Sequence, residues 1–196
     1  MKKSGIIAFT VIITVIVVGA VCFVATSRAG YETAAYEVIE SDGDFEIRQY
    51  EPHLVAATPM AGANQNDAFG RLFRYISGEN EGKTKIAMTT PVFMPSEDGG
   101  AVSEMQFVVP ADIAEAGAPD PGDPTVTIRK VPGGTFAVIR YSGRSDQANR
   151  EKHLAVLKER LTAEGRKAVG GPVFAGYDPP WTPGPMRRNE VMLKIE

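Results

Sequence analysis

The sequence predicts an α+β fold: a distorted antiparallel β-barrel assembled from two β-β-α-β-β halves with two long helices, behind an N-terminal transmembrane helix. Three observations predict it. Short motifs recur 81 positions apart, Ile47-Arg48 at Ile128-Arg129 and Pro91-Val92-Phe93 at Pro172-Val173-Phe174. Around them, strand-type alternation gives way to helical periodicity in the same order in both halves. Ahead of both lies a charge-free run from Gly5 to Thr26.

That run holds 22 residues, long enough at helical rise to cross a ~30 Å hydrocarbon core. It also exceeds the ~7–15 apolar residues of a signal peptide, which favours an uncleaved anchor. The small-x-small triplets Ala25-Thr26-Ser27 and Ser27-Arg28-Ala29 keep a cleaved signal peptide as the alternative. Lys2 and Lys3 precede the run, an asymmetry that places the N-terminus in the cytoplasm and the remainder outside. The expected division is therefore residues 1–30 as anchor and linker and 31–196 as the folded domain: a single-pass cell-membrane protein whose soluble part is extracytoplasmic (periplasmic).

In the first half, FEIRQY (45–50) and HLVAAT (53–58) have strand composition around Glu51-Pro52 and read as a hairpin. Asn66 or Asp67 can cap a helix whose Ala68, Phe69, Leu72, Phe73 and Ile76 recur on one face before Gly78. KIAMTTPVFM (85–94) and EMQFVVP (104–110) supply two further strands. Proline cannot donate to a ladder, so Pro91 marks where a strand begins or bends. The second half repeats the plan. TVTIRKV (125–131) and TFAVIRY (135–141) flank Pro132-Gly133-Gly134 as a second hairpin. Ser145 or Asp146 can cap a helix carrying Leu154, Leu157 and Leu161, and GPVFAGY (171–177) and EVMLKIE (190–196) close the half.

A net charge of −3 argues against nucleic acid, which needs a cationic surplus. The one cysteine, Cys22, lies inside the apolar run, so the folded part has no disulfide and no thiolate. Nucleophile-elbow, zinc-protease, P-loop and haem-attachment motifs are all missing, and no catalytic residue is assigned. The histidines, His53 and His153, read as surface or capping residues. Glu51, Asp67 and Glu190 can act together only if the fold gathers them. Phe69, Phe73 and Ile76 with Arg71 and Arg74 alongside are the composition of an apolar cleft edged by guanidinium groups, suited to a flat hydrophobic acid. Packed core is the competing reading. Asp178-Pro179-Pro180-Trp181-Thr182-Pro183 must be a stiff loop, pinning the last strand or lidding a cleft.

YEVIESDGDFEIRQY (36–50), AFGRLFRYISGEN (68–80), KIAMTTPV (85–92), AGYDPP (175–180) and RRNEV (187–191) follow one another in an order that resembles the SOUL haem-binding protein family over Tyr36–Glu196. The resemblance implies the two-half barrel and a shallow apolar cleft for haem or related tetrapyrroles beside the first helix. It implies that Phe69 and Phe73 face the macrocycle and that Arg74 approaches a propionate. Gln49 stands where one branch of the family has a proposed axial histidine, and Thr182 where a second basic residue is found. Both departures imply weak or purely apolar tetrapyrrole binding, with the iron ligand left open and His53 only a substitute.

The reading is a monomeric, non-enzymatic, membrane-anchored haem or porphyrin carrier, with ligand and lipid bilayer as its partners. An effector-binding module for other apolar molecules, as in similar two-half barrels of bacterial regulators, is the alternative; a buried glutamate in the cleft would distinguish it. A small-molecule hydrolase ranks third.

Overall fold

The first half of the alternation pattern runs as strand. The computed structural model describes residues 30–62, 64–97 and 101–196, and gives β1 (Glu32–Thr33), β2 (Tyr36–Asp42), β3 (Phe45–Tyr50) and β4 (His53–Pro59), then helix α1 (Gln65–Ile76). Next come β5 (Thr89–Thr90), β6 (Val92–Pro95), β7 (Glu104–Val108) and a short helix α2 (Ala111–Ala116). The second half supplies β8 (Thr127–Val131), β9 (Gly134–Tyr141), α3 (Gln147–Ala163), β10 (Ala168–Gly176) and β11 (Asn189–Ile195). The chain divides into Met1–Gly30 and Tyr31–Glu196. The apolar run from Gly5 to Thr26 lies outside the described residues, among which no helix is long and apolar enough to cross a membrane.

Two expectations need correction. Neither hairpin forms: β3 pairs with β2 and β9, while β4 pairs with β7 and β8. Tight hairpins need positive φ in the turn, and Pro52 locks its φ negative, so the Glu51-Pro52 link carries the chain across instead. At the crossing, a Cβ on Gly133 would lie 2.2 Å from the Tyr50 carbonyl oxygen and 3.0 Å from Pro52 N. The two crossing links therefore touch, and only glycine fits between them. The barrel is the second correction. The nine-stranded sheet runs β2-β3-β9-β11-β10-β6-β7-β4-β8, so among the described residues the ladder is open, with β2 and β8 at its edges. Residues Lys85–Met88, expected as strand, are irregular, and Pro91 separates β5 from β6.

The order is a palindrome once β2 is set aside. The 81-residue offset carries β3 onto β8, β4 onto β9 and β6 onto β10, and each half's strands pair with the other's. The central ladder sets Phe174 against Met94 and Ala175 against Phe93, a register that the same offset maps onto itself. The duplicated units interlock about this ladder.

The sheet has two buried faces. Val191, Leu193 and Ile195 of β11 join Ala68, Leu72, Leu154, Leu157 and Leu161 of the helices in the larger core. Met192, between them, joins Tyr50, Phe93, Val138 and Tyr177 on the other face, as a period of two requires.

Candidate ligand cleft

Helix α1 begins where the Asn64 side chain accepts a hydrogen bond from the Asp67 N–H at 3.0 Å, satisfying one orphan donor of the first turn. Ala68, Leu72, Tyr75 and Ile76 face the sheet. Phe69 and Phe73, one position round from the first two, form the neighbouring stripe. Their rings stack at 6.0 Å, and Phe69 stands edge-on to Phe107 at 5.2 Å. Phe73 stays 50% exposed.

Opposite this stripe lies the loop after β10. Asp178, Pro179, Pro180 and Trp181 line a cavity of about 390 Å³ together with Phe69, Gly70, Phe73, Met88, Val92 and Tyr31. Trp181 is 70% exposed. Arg187 holds the loop by donating to the carbonyls of Pro180 and Thr182, so the loop is pinned and also forms a wall. Thr90, another wall residue, has a buried hydroxyl without a hydrogen-bond partner among the described residues. A Cβ on Gly70 would meet only the Arg74 Nη1 at 3.8 Å, so glycine here keeps the helix side of the cavity low rather than relieving a clash.

Of the sequence-selected residues, Phe69 and Phe73 are brought together on this wall. Arg74 is directed elsewhere: Nε meets Glu79 at 2.9 Å and Nη2 meets Asp123 at 3.4 Å. Gln49, exposed on β3, accepts from the Thr135 hydroxyl at 2.9 Å. Thr182 is buried with its hydroxyl unpartnered among the described residues. His53 Nδ1 donates to the Glu51 carbonyl at 2.9 Å, and His153 donates to Asn149 O while stacking on Tyr141 at 4.2 Å. Neither lines the cavity. Among the described residues no group of three His, Cys, Asp or Glu side chains is placed to hold a metal.

Glu190 is the site feature that sequence reasoning underrated. Its carboxylate is sealed on β11, where Arg48 binds both oxygens at 2.8 and 2.9 Å. Arg188 adds contacts at 2.6 and 2.9 Å, and the Tyr177 hydroxyl donates at 2.8 Å. Burial by itself would raise the Glu190 carboxyl, but hydrogen bonding and charge from Arg48, then Arg188, hold it below the usual carboxylate value. Burial pushes the Tyr50 phenol up to about 12 and Tyr177 well above its ordinary value. Glu51 and Asp67 are exposed, so no carboxylate pair forms with Glu190. Of its partners Arg188 and Tyr177 are near in sequence, but Arg48, which binds both oxygens, comes from β3, 142 residues away.

A family model described as SOUL heme-binding protein matches residues 31–194. Heme-binding protein 1 of Mus musculus is 30% identical over 179 residues, covering 83% of this chain and 92% of its own. Heme-binding protein 2 of Homo sapiens is 32% identical over 161 residues, covering 77% and 78%. Among solved structures, the EcmrR C-terminal domain aligns with a TM-score of 0.55 at 12% identity, covering 82% of this chain and 98% of that one. A hydrolase from Listeria innocua aligns at 0.54 with 10% identity, covering 81% and 94%. At such identities these two likenesses speak for the fold alone.

Proposed function

The chain belongs to the SOUL heme-binding protein family, and from that premise we propose that it binds haem or a related tetrapyrrole against the open face of α1. The observation that carries this is the aromatic stripe of Phe69 and Phe73 left uncovered beside Trp181. Large apolar side chains exposed together around a concavity mark a ligand site more than a core. The fit is to the ring: flat aromatic and aliphatic walls, with the Thr90 hydroxyl, unpartnered among the described residues, and the Asp178 carboxylate as polar groups at the wall. Bound haem would bring its own iron chemistry and a Soret absorption. Met88 and Tyr31 are the wall residues of kinds that ligate haem iron, and no imidazole stands there. Apolar contact therefore supplies most of the affinity, and exchange is easy.

The role is that of a non-enzymatic carrier, acting as a monomer. With the charge-free run from Gly5 to Thr26 as an anchor, it holds or passes on its ligand at the outer face of the cytoplasmic membrane. The rival effector-module reading needs a buried carboxylate free to meet a cation. Glu190 is buried, but two guanidinium groups and a phenol occupy it and it lines none of the described cavities. Titration with hemin tests the proposal: a saturable Soret shift at micromolar concentration is expected, and a linear, non-saturating change would overturn it.

A further inference from the structure

Beyond Phe69 the apolar cavity continues into a second one of about 410 Å³, and the two share Phe69, Val92, Gly176, Asp178 and Pro180 as walls. The chemistry changes along this groove. Its far end is lined by Arg144 and Arg187 and by the first turns of both long helices, through Gln65 and Asn66 of α1 and the Asp146 cap of α3. Arg144 is exposed, and its guanidinium has no ion-pair or hydrogen-bond partner among the described residues. Arg187 donates to two carbonyls through Nε and Nη2 and makes no direct ion pair among the described residues, which leaves its Nη1 group for an acid. Two helix N-termini add partial positive charge. Two carboxylates also line this end, and each already accepts a backbone N–H: Asp146 from Asn149 at 2.9 Å, Asp178 from Arg188 at 2.6 Å.

Resting on the tetrapyrrole reading, we propose that this end of the groove is a carboxylate subsite: Arg144 and Arg187 take the acid groups of a planar ligand whose ring lies on Phe69 and Phe73. Arg74 is not the acid-binding residue, because Glu79 and Asp123 hold it and it lines neither cavity. An amphiphilic disc is thereby oriented, acid edge toward α3 and bare edge toward Trp181. Charge-assisted pairing with a guanidinium is directional and falls with salt, so the subsite sets selectivity for free acids over esters.

Trp181 is the only tryptophan in the chain and lines the ring cavity, so its fluorescence reports occupancy without iron. The full-length protein in dilute nonionic detergent is titrated with protoporphyrin IX and with its dimethyl ester. The free acid is expected to bind about tenfold more tightly or better, the range of one or two charge-assisted hydrogen bonds. Arg144→Gln, which removes no hydrogen bond or ion pair among the described residues, is expected to take away most of that preference; adding Arg187→Gln brings acid and ester within about threefold. Arg74→Gln is expected to leave the preference intact. Preference retained in Arg144→Gln, or lost in Arg74→Gln, overturns the subsite. Equal affinity of acid and ester for the native protein overturns the subsite while leaving the ring cavity standing, whereas quenching by neither overturns both.

Discussion

Each half of the molecule carries an arginine and a glutamate that reach past one intervening strand. Arg48 on β3 meets Glu190 on β11 across β9, and Arg129 on β8 meets Glu104 on β7 across β4. The offset that interlocks the halves maps Arg48 onto Arg129, and Glu190 and Glu104 sit opposite equivalent residues, Arg140 and Pro59. Burial separates the two pairs. The first has side chains 1% and 0% exposed; the second, 42% and 25%. One duplicated contact has thus become two different things: a sealed polar network binding both halves together, and a surface pair competing with water.

The helices diverge in the same way. Counted from their caps, Asn64 and Asp146, the buried positions agree, Leu72 with Leu154 and Tyr75 with Leu157. On the adjoining stripe, Phe69 and Phe73 of α1 answer to Glu151 and Ala155 of α3. The connection between β10 and β11, 177–188, is also longer than that between β6 and β7, 96–103, and brings Trp181. An open apolar cleft therefore lies beside one helix of a repeated scaffold: both helices keep the core stripe, and only the stripe next to it differs.

The largest expected effect breaks the sealed pair. Arg48→Met should lower unfolding free energy by about 3 kcal/mol, the low end for breaking a buried pair, because Arg188 and Tyr177 still hold the Glu190 carboxylate; urea denaturation followed by circular dichroism measures it. Acid reads the same network next. Glu190 is held below its ordinary value of 4.5, so the unfolded state binds the proton more readily. Its stabilisation is complete above that value and is lost as pH falls through the lower folded value. Denaturation midpoints between pH 6 and 3 should drop, and Glu190→Gln should lack that component of the slope.

A smaller effect sharpens the contrast between the helices. Phe73→Ala should weaken hemin binding about five- to tenfold, the worth of burying half a phenylalanine ring under a ligand, while shifting stability by less than about 0.5 kcal/mol. Soret titration beside a denaturation curve separates the two. The smallest belongs to the surface pair: Arg129→Met should cost no more than about 1 kcal/mol. If the two arginine variants destabilise equally, burial is not what distinguishes them.

Alternation and capping residues placed the strands from β3 on and both long helices within a few residues, though α1 is capped by Asn64 rather than Asn66 or Asp67, because period and caps are local properties written in consecutive side chains. The same reading took Tyr36–Asp42 as motif without strand, missed α2, and carried Lys85–Met88 into a strand. It selected Phe69 and Phe73, yet left open whether their stripe was core.

Sequence by itself determined that two like units exist, which residues alternate within them, that one helix bears an aromatic stripe, and that a 22-residue charge-free run precedes them. Tertiary structure decided the rest: the two expected hairpins open so that β3 pairs with β9 and β4 with β8, the ladder stays open, Arg48 finds Glu190, and the loop bearing Trp181 stops short of covering Phe73. Period specifies which face a side chain takes, but pairing and exposure are set by long-range packing, where a neighbour 142 residues away decides whether a charge is sealed or wet.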